Sequence, residues 1–119
     1  MIATIPSYAH YSHPFRYLFG RMEVVDLGIA EIFYENGALR YRYTRYLAPD
    51  GERWIRHGQF IAYSEDGTVV SEGTYEHGVE HGPWKDFHSN GQLAALGHYD
   101  RGAEVEPWQY WNAEGQPET

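Results

Sequence analysis

Large, small, apolar and polar positions recur in a fixed order along this chain. Trp84-Lys-Asp-Phe-His-Ser-Asn-Gly91 sets an aromatic residue, two others, a second aromatic residue, three more and a glycine. The same order stands one period earlier in Phe60-Ile-Ala-Tyr-Ser-Glu-Asp-Gly67 and one equal period later in Trp108-Gln-Tyr-Trp-Asn-Ala-Glu-Gly115. A fourth copy, Ala30-Glu-Ile-Phe-Tyr-Glu-Asn-Gly37, keeps the second aromatic residue and the turn but has alanine first. Beyond the turn, Gly73, Tyr75 and Gly78 recur as Gly97, Tyr99 and Gly102. Gly28, Gly58 and Gly82 each lie two positions before the first aromatic position, where the last copy has Glu106, and Pro83 and Pro107 are equivalent. The interval from Gly37 to Gly67 exceeds that from Gly67 to Gly91 by six, so the first full unit carries an insertion of that length. Self-similarity at one period is the signature of a repeat architecture.

Each unit reads as a β-hairpin. Asn36-Gly37, Asp66-Gly67 and Asn90-Gly91 have the composition of two-residue turns in which both central residues take positive φ, and Glu114-Gly115 is a weaker version. A two-residue turn at Asn90-Gly91 sets Ser89 opposite Gln92, Phe87 opposite Ala94 and Trp84 opposite Gly97. By the same count Phe60 faces Gly73. A large ring across from a strand glycine covers the backbone that the glycine leaves bare. The pattern predicts an all-β fold, a single-layer antiparallel β-meander of repeated hairpins over residues 28–115. Residues 1–27 are expected to form an N-terminal capping segment and residues 116–119 a C-terminal tail. Because one layer cannot bury both its faces, the capping segment, a second copy or a partner is expected to cover the other face.

Composition narrows the function classes. A chain of 119 residues suits one domain, and 42% hydrophobic residues with four Trp, eleven Tyr and five Phe argue against disorder. The absence of cysteine excludes disulfides, thiolate metal sites and a cysteine nucleophile. The first residues lack the basic start and apolar core of a signal peptide, and no apolar run approaches the ~20 residues that span a bilayer. A cytoplasmic protein without membrane contact is expected. The net charge of −8 is uneven: residues 1–59 hold seven arginines against six acids, and residues 60–119 hold eleven acids against Lys85 and Arg101. Such a second half repels nucleic acid and anionic lipid and attracts a basic surface.

Catalytic and metal chemistry find little support. His77 and His81 have a spacing that suits zinc on a helix, but two glycines in Glu76-His-Gly-Val-Glu-His-Gly82 oppose a helix, and the segment reads as an inter-repeat loop. His10 and His13 read as part of the cap, and His88 and His98 as surface or edge residues. No nucleophile elbow, phosphate loop or paired carboxylates appear, so the chain reads as a non-enzyme without cofactor or metal. Arg40-Tyr-Arg-Tyr-Thr-Arg-Tyr46 with Arg53 and Arg56 has the composition of a nucleic-acid surface. The Asn36-Gly37 hairpin, however, sets Arg42 opposite Glu31, which makes a cross-strand ion pair the better reading.

Gly82-Pro-Trp84, Phe87, Asn90-Gly91, Gly97, Tyr99 and Gly102 resemble MORN repeats, and more particularly the variant units of the YwqK-like bacterial antitoxin family. The resemblance covers about residues 28–115 and implies hairpins stacked in one direction. Together with the acidic half it implies an antitoxin or immunity-type protein that neutralises a cognate basic toxin by direct contact. The alternative is a self-associating MORN scaffold joined through a sheet edge or face. The partner-binding surface is expected at Glu72, Glu76, Glu80, Asp86, Asp100, Glu104 and Glu106, with equivalent positions aligned on one side. Tyr110 and Trp111 complete it as aromatic interface residues.

Overall fold

The computed structural model describes residues 15–19 and 23–118, with side chains from Asp26 onward. Among the described residues nine strands form one antiparallel sheet in chain order: β1 (Phe15–Phe19), β2 (Glu23–Phe33), β3 (Leu39–Leu47), β4 (Trp54–Tyr63), β5 (Val69–Glu76), β6 (Val79–Phe87), β7 (Leu93–Asp100), β8 (Ala103–Trp111) and β9 (Pro117–Glu118). The meander follows from the turns, because antiparallel neighbours need only a tight connection. Within the segment expected as a cap, Phe15–Phe19 is a strand paired beside β2. His10 and His13 lie outside the described residues. β2 starts at Glu23, ahead of the repeat boundary expected at residue 28, and Pro117–Glu118 pairs with β8.

Side chains directly opposite in a ladder share a face, so the register sorts the residues. One row runs Ala30, Tyr43, Phe60, Gly73, Trp84, Gly97, and defines an aromatic face. The row beside it runs Glu31, Arg42, Ile61, Glu72, Lys85, Leu96, Gln109 and defines the opposite face. On the aromatic face Phe60, Tyr75, Trp84, Tyr99 and Trp108 pack in succession, edge against ring, with centroids 5.3 to 5.9 Å apart. Such tilted contacts suit the ring quadrupoles. The rings of neighbouring strands cover one another along this face, where Phe60 is 6% and Trp84 8% exposed.

The expected pairs Trp84 with Gly97 and Phe60 with Gly73 are formed. The covering is shifted by one strand. A Cβ on Gly73 would overlap Trp84 Cε3, and one on Gly97 would overlap Trp108 Cδ2, so each indole lies over a glycine of the strand before it.

The turns correct the sequence reading. His88 N–H donates to Gln92 O at 2.8 Å, Gly91 N–H donates to His88 O at 2.9 Å, and Gly91 alone takes positive φ (90°). This is a three-residue loop closed by a left-handed glycine, a common hairpin connection. Asn90 is needed for its side chain, since its Oδ1 accepts the Gln92 N–H at 3.0 Å. Phe87 therefore faces Leu93 rather than Ala94, and an irregularity between Asp86 and Phe87 restores the expected register farther along the strand. Turns with two positive-φ residues occur at the other end of the sheet, at His77-Gly78 (48° and 94°) and Arg101-Gly102 (52° and 91°). Glu76 pairs with Val79 there, so the segment expected as an inter-repeat loop is a tight turn leading directly into β6. The six inserted residues are Ala48–Arg53, which lengthen the β3–β4 connection; Leu47 pairs with Trp54 beneath it.

Candidate protein-binding surface

A backbone device recurs beside the tight turns. In β4 and β6 a histidine precedes a positive-φ glycine, His57-Gly58 and His81-Gly82, where the ladder to the preceding strand loses register. The Thr44 hydroxyl donates to His57 O at 2.5 Å, and the Thr74 hydroxyl donates to His81 O in the same way. The imidazoles point to the next hairpin. His57 Nδ1 accepts the His77 N–H at 2.8 Å and His81 Nδ1 accepts the Arg101 N–H at 3.0 Å. Each ring thus carries its proton away from Nδ1 when the bond is made. The following glycines, Gly78 and Gly102, donate to Arg56 O and Glu80 O at 2.9 and 2.8 Å. His57 and His81 stand one repeat period apart, and that recurrence is the signal the sequence carries. The closer spacing of His77 and His81, which suggested metal, joins residues of different units. His77 Nδ1 meets the Tyr46 hydroxyl at 2.7 Å, whereas His81 lies 3.7 Å from Glu76 and 3.8 Å from Asp100.

The expected binding residues divide between the two faces. Glu80 pairs with Tyr75, Glu104 pairs with Tyr99, and Asp86 lies two positions from Trp84, so these three belong to the aromatic face. By alternation from Trp108, Tyr110 shares it, whereas Glu106 stands in the register irregularity of β8 and lines a depression with Leu96, His98 and Val105 of the opposite face. Glu72, Glu76 and Asp100 occupy the opposite face, in line with Lys85 or beside His81. Equivalent positions do align from unit to unit, as Glu80 with Glu104 and Glu76 with Asp100, but the two ladders look in opposite directions. Tyr110 is 47% exposed, while Trp111 is half-buried and its carbonyl lies 2.7 Å from His88 Nε2.

On the aromatic face the acids differ in their surroundings. Asp86 is tied down: the Ser71 hydroxyl and the Trp84 indole N–H both donate to its Oδ1, at 2.6 and 3.2 Å. Glu80 and Glu104 form no ion pair among the described residues, and they flank Tyr99. Burial first, then the Glu104, Glu80 and Asp86 carboxylates, push the Tyr99 phenol above its ordinary range, because removing its proton would add a negative charge among three others. In the sequence Tyr99 is legible only as a repeat marker. This position is where aromatic surface and unneutralised acid meet.

Arginines of the basic, aromatic stretch lie against an acid or against rings of the sheet. Arg42 Nε lies 3.6 Å from Glu31 Oε2, and these residues face each other as expected. Arg40 lies over the Tyr34 and Tyr41 rings, and Arg45 lies 4.1 Å from the Trp54 centroid and is 6% exposed. Among the described residues no three His, Asp or Glu side chains gather as a metal site, and no helix is long and apolar enough to cross a membrane.

Comparison with known proteins gives one family: the MORN repeat variant model matches residues 27–45, 56–77 and 80–101, together just over half of the chain. No curated protein and no solved structure matches it. The matched segments cover three of the four units read from the chain, leave the last copy at Trp108–Gly115 unmatched, and pass over the six inserted residues.

Proposed function

The chain belongs to the MORN repeat variant family, repeat units of the binding or scaffolding kind, and from that premise we propose that it is an antitoxin or immunity-type protein, similar to the YwqK-like antitoxins. It acts in the cytoplasm, without enzymatic activity or cofactor, by covering the cationic groove of a basic toxin. The observation that carries this reading is the placement of Glu80 and Glu104 beside the ring row on one face. Acidic side chains there steer a basic partner and occupy positions that phosphates would otherwise take, while Trp108 and Tyr110 supply apolar contact.

Affinity purification of the tagged protein from its native cells tests this. The expected result is a stoichiometric basic protein that harms the cell when expressed alone. Charge reversal at Glu80 and Glu104 should then weaken the complex at least about tenfold, as loss of close interfacial charge pairs does. Reversal at Glu76 and Asp100, on the other face, serves as the control. Recovery of the bait alone, or equal sensitivity on both faces, would sink the reading. A self-associating scaffold is the second reading, supported by the exposure of Val105 (43%) and Tyr110 on β8. Light scattering that shows a concentration-dependent oligomer of the purified chain would favour it.

A further inference from the structure

Arg56, Glu80 and Glu104 occupy the same place in three successive units, each one repeat period after the last. The first is a cation and the other two are anions. Arg56 lies over three rings, with its guanidinium carbon 4.8 Å from the Tyr43 centroid, 5.3 Å from Phe60 and 5.4 Å from Tyr75. Its Nη1 donates to the Tyr75 hydroxyl at 3.3 Å. Tyr75 therefore sits between a cation on one neighbouring strand and Glu80 on the other.

Tyr99 is the equivalent residue one unit on, and its ring environment is the same. It packs edge-on against Trp84 and Trp108 at 5.5 and 5.3 Å, as Tyr75 does against Phe60 and Trp84 at 5.3 and 5.9 Å. Its flanking residues are Glu80 and Glu104, with Asp86 close enough to act on its phenol. The second unit thus repeats two of the three rings that hold a guanidinium in the first, Trp84 for Phe60 and Tyr99 for Tyr75, with Gly73 where the first has Tyr43, and it sets carboxylates where the first unit supplies that guanidinium.

We propose that the aromatic face around Tyr99 is a receptor for an arginine side chain of a basic protein partner, which takes the place in the second unit that Arg56 fills in the first. The proposal rests on the protein-binding reading above and deepens it by naming the group bound. Two observations select arginine over lysine. Both guanidiniums already seated on this face, Arg45 on Trp54 and Arg56 on Tyr43, lie against rings, as a planar delocalised cation does. A guanidinium also presents several donors in one plane, so it can contact a ring with its face and Glu80 or Glu104 with its edge.

The test is a titration of the intact protein with N-acetyl-arginine amide, followed by NMR of the aromatic side chains. Saturable shifts are expected at millimolar probe, concentrated at Tyr99, Trp84 and Trp108. The Glu80→Gln/Glu104→Gln variant should weaken binding about fivefold or more, and N-acetyl-lysine amide should bind more weakly than the arginine probe. Glu80→Arg should abolish the shifts and raise the melting temperature, because it supplies the missing guanidinium internally. Shifts spread equally to rings outside this cluster, such as Tyr34, Tyr46 and Tyr63, or undiminished in the double glutamine variant, would overturn the proposal. That failure would leave partner capture by another part of the surface standing, which the purification decides. Saturable arginine binding at Tyr99 would support the receptor even if the purification returned the bait alone.

Discussion

The first full unit, built on β3 and β4, and the one that follows, built on β5 and β6, solve the same backbone problem with different side chains. Both hold a positive-φ glycine after a histidine, a threonine bonded to the histidine carbonyl, and a loss of ladder register at that point. Where the later unit has Gly73 beneath Trp84, the earlier has Tyr43 beside Phe60, with ring centroids 6.1 Å apart. A larger residue on one strand is matched by a smaller one on the next. His57 is fully buried, whereas the His81 side chain is 38% exposed. Arg56 sets a cation at this place in its unit, and Glu80 sets a carboxylate at the equivalent place in the next. The difference teaches that the repeat specifies backbone geometry and leaves ring size and charge free to vary. One unit is thereby closed on itself while the next keeps a surface to offer.

The steric half of this comparison can be broken at Gly73. Gly73→Ala puts a methyl group against the Trp84 ring and should cost about 1–3 kcal/mol, the usual penalty for overfilling a packed site. Denaturant melts measure it. An unchanged midpoint would mean that the indole slides aside freely, and the pairing of ring size with glycine would lose its basis.

A smaller effect sharpens the contrast in burial. His57→Ala removes the acceptor of the His77 N–H in a site closed to water and should cost about 1–3 kcal/mol. His81→Ala should cost roughly half of that or less, since water can reach the Arg101 N–H in its place. Hydrogen exchange of those two amides reports each loss directly. Equal acceleration at both would contradict the difference in burial.

The smallest effect concerns the turns at the other end. Asp66 and Asn90 accept the same N–H two residues on, from Thr68 at 2.9 Å and Gln92 at 3.0 Å, but only Asp66 titrates. The Ser64 hydroxyl, then the Thr68 side chain and backbone, hold its carboxyl down at about 2 against the ordinary 3.8. A depressed carboxyl contributes stability that is complete above its unfolded value and is lost as pH falls through the folded one. The β4–β5 turn should therefore weaken between about pH 4 and pH 2, whereas Asn90 lends the β6–β7 turn no such dependence. Carboxyl chemical shifts followed through an acid titration check both statements; a midpoint for Asp66 near 4 would contradict the first.

Much of the fold was legible in the sequence, for a physical reason. A ring, a glycine and a turn at constant spacing leave few ways to pair strands, so the meander and the pairs Trp84–Gly97, Phe60–Gly73 and Arg42–Glu31 follow from counting alone. The turn geometry was not legible in the same way. Asn-Gly serves both a two-residue turn and a three-residue loop with a left-handed glycine, and an offsetting irregularity restores the register, so the error left no trace at Trp84. The candidate surface was legible by composition and not by direction. Glu76 and Glu80 are four residues apart, and an even separation in an unbroken strand would put them on one face. The two-residue turn at His77-Gly78 lies between them, so they end up on opposite faces. Tyr99 stood out only after its three carboxylate neighbours were brought together from β6 and β8.

The hydrogen bonds that join one unit to the next lie at both ends of the strands and run in opposite senses. At one end the backbone of the later turn donates to the earlier unit, through His77, Gly78, Arg101 and Gly102. At the other end side chains of the earlier unit reach the later one, Tyr34 to Tyr63 O and Asn90 to Ala113 O, both at 2.7 Å. Neighbours stitched at both ends cannot shear or fan apart without breaking one set. The array is therefore stiff along its length and works as a ruler, with divisions of two strand spacings, about 10 Å. A partner that engages more than one unit must carry its own contacts at that interval, so the pitch of the sheet selects among basic proteins that charge alone would treat as equal.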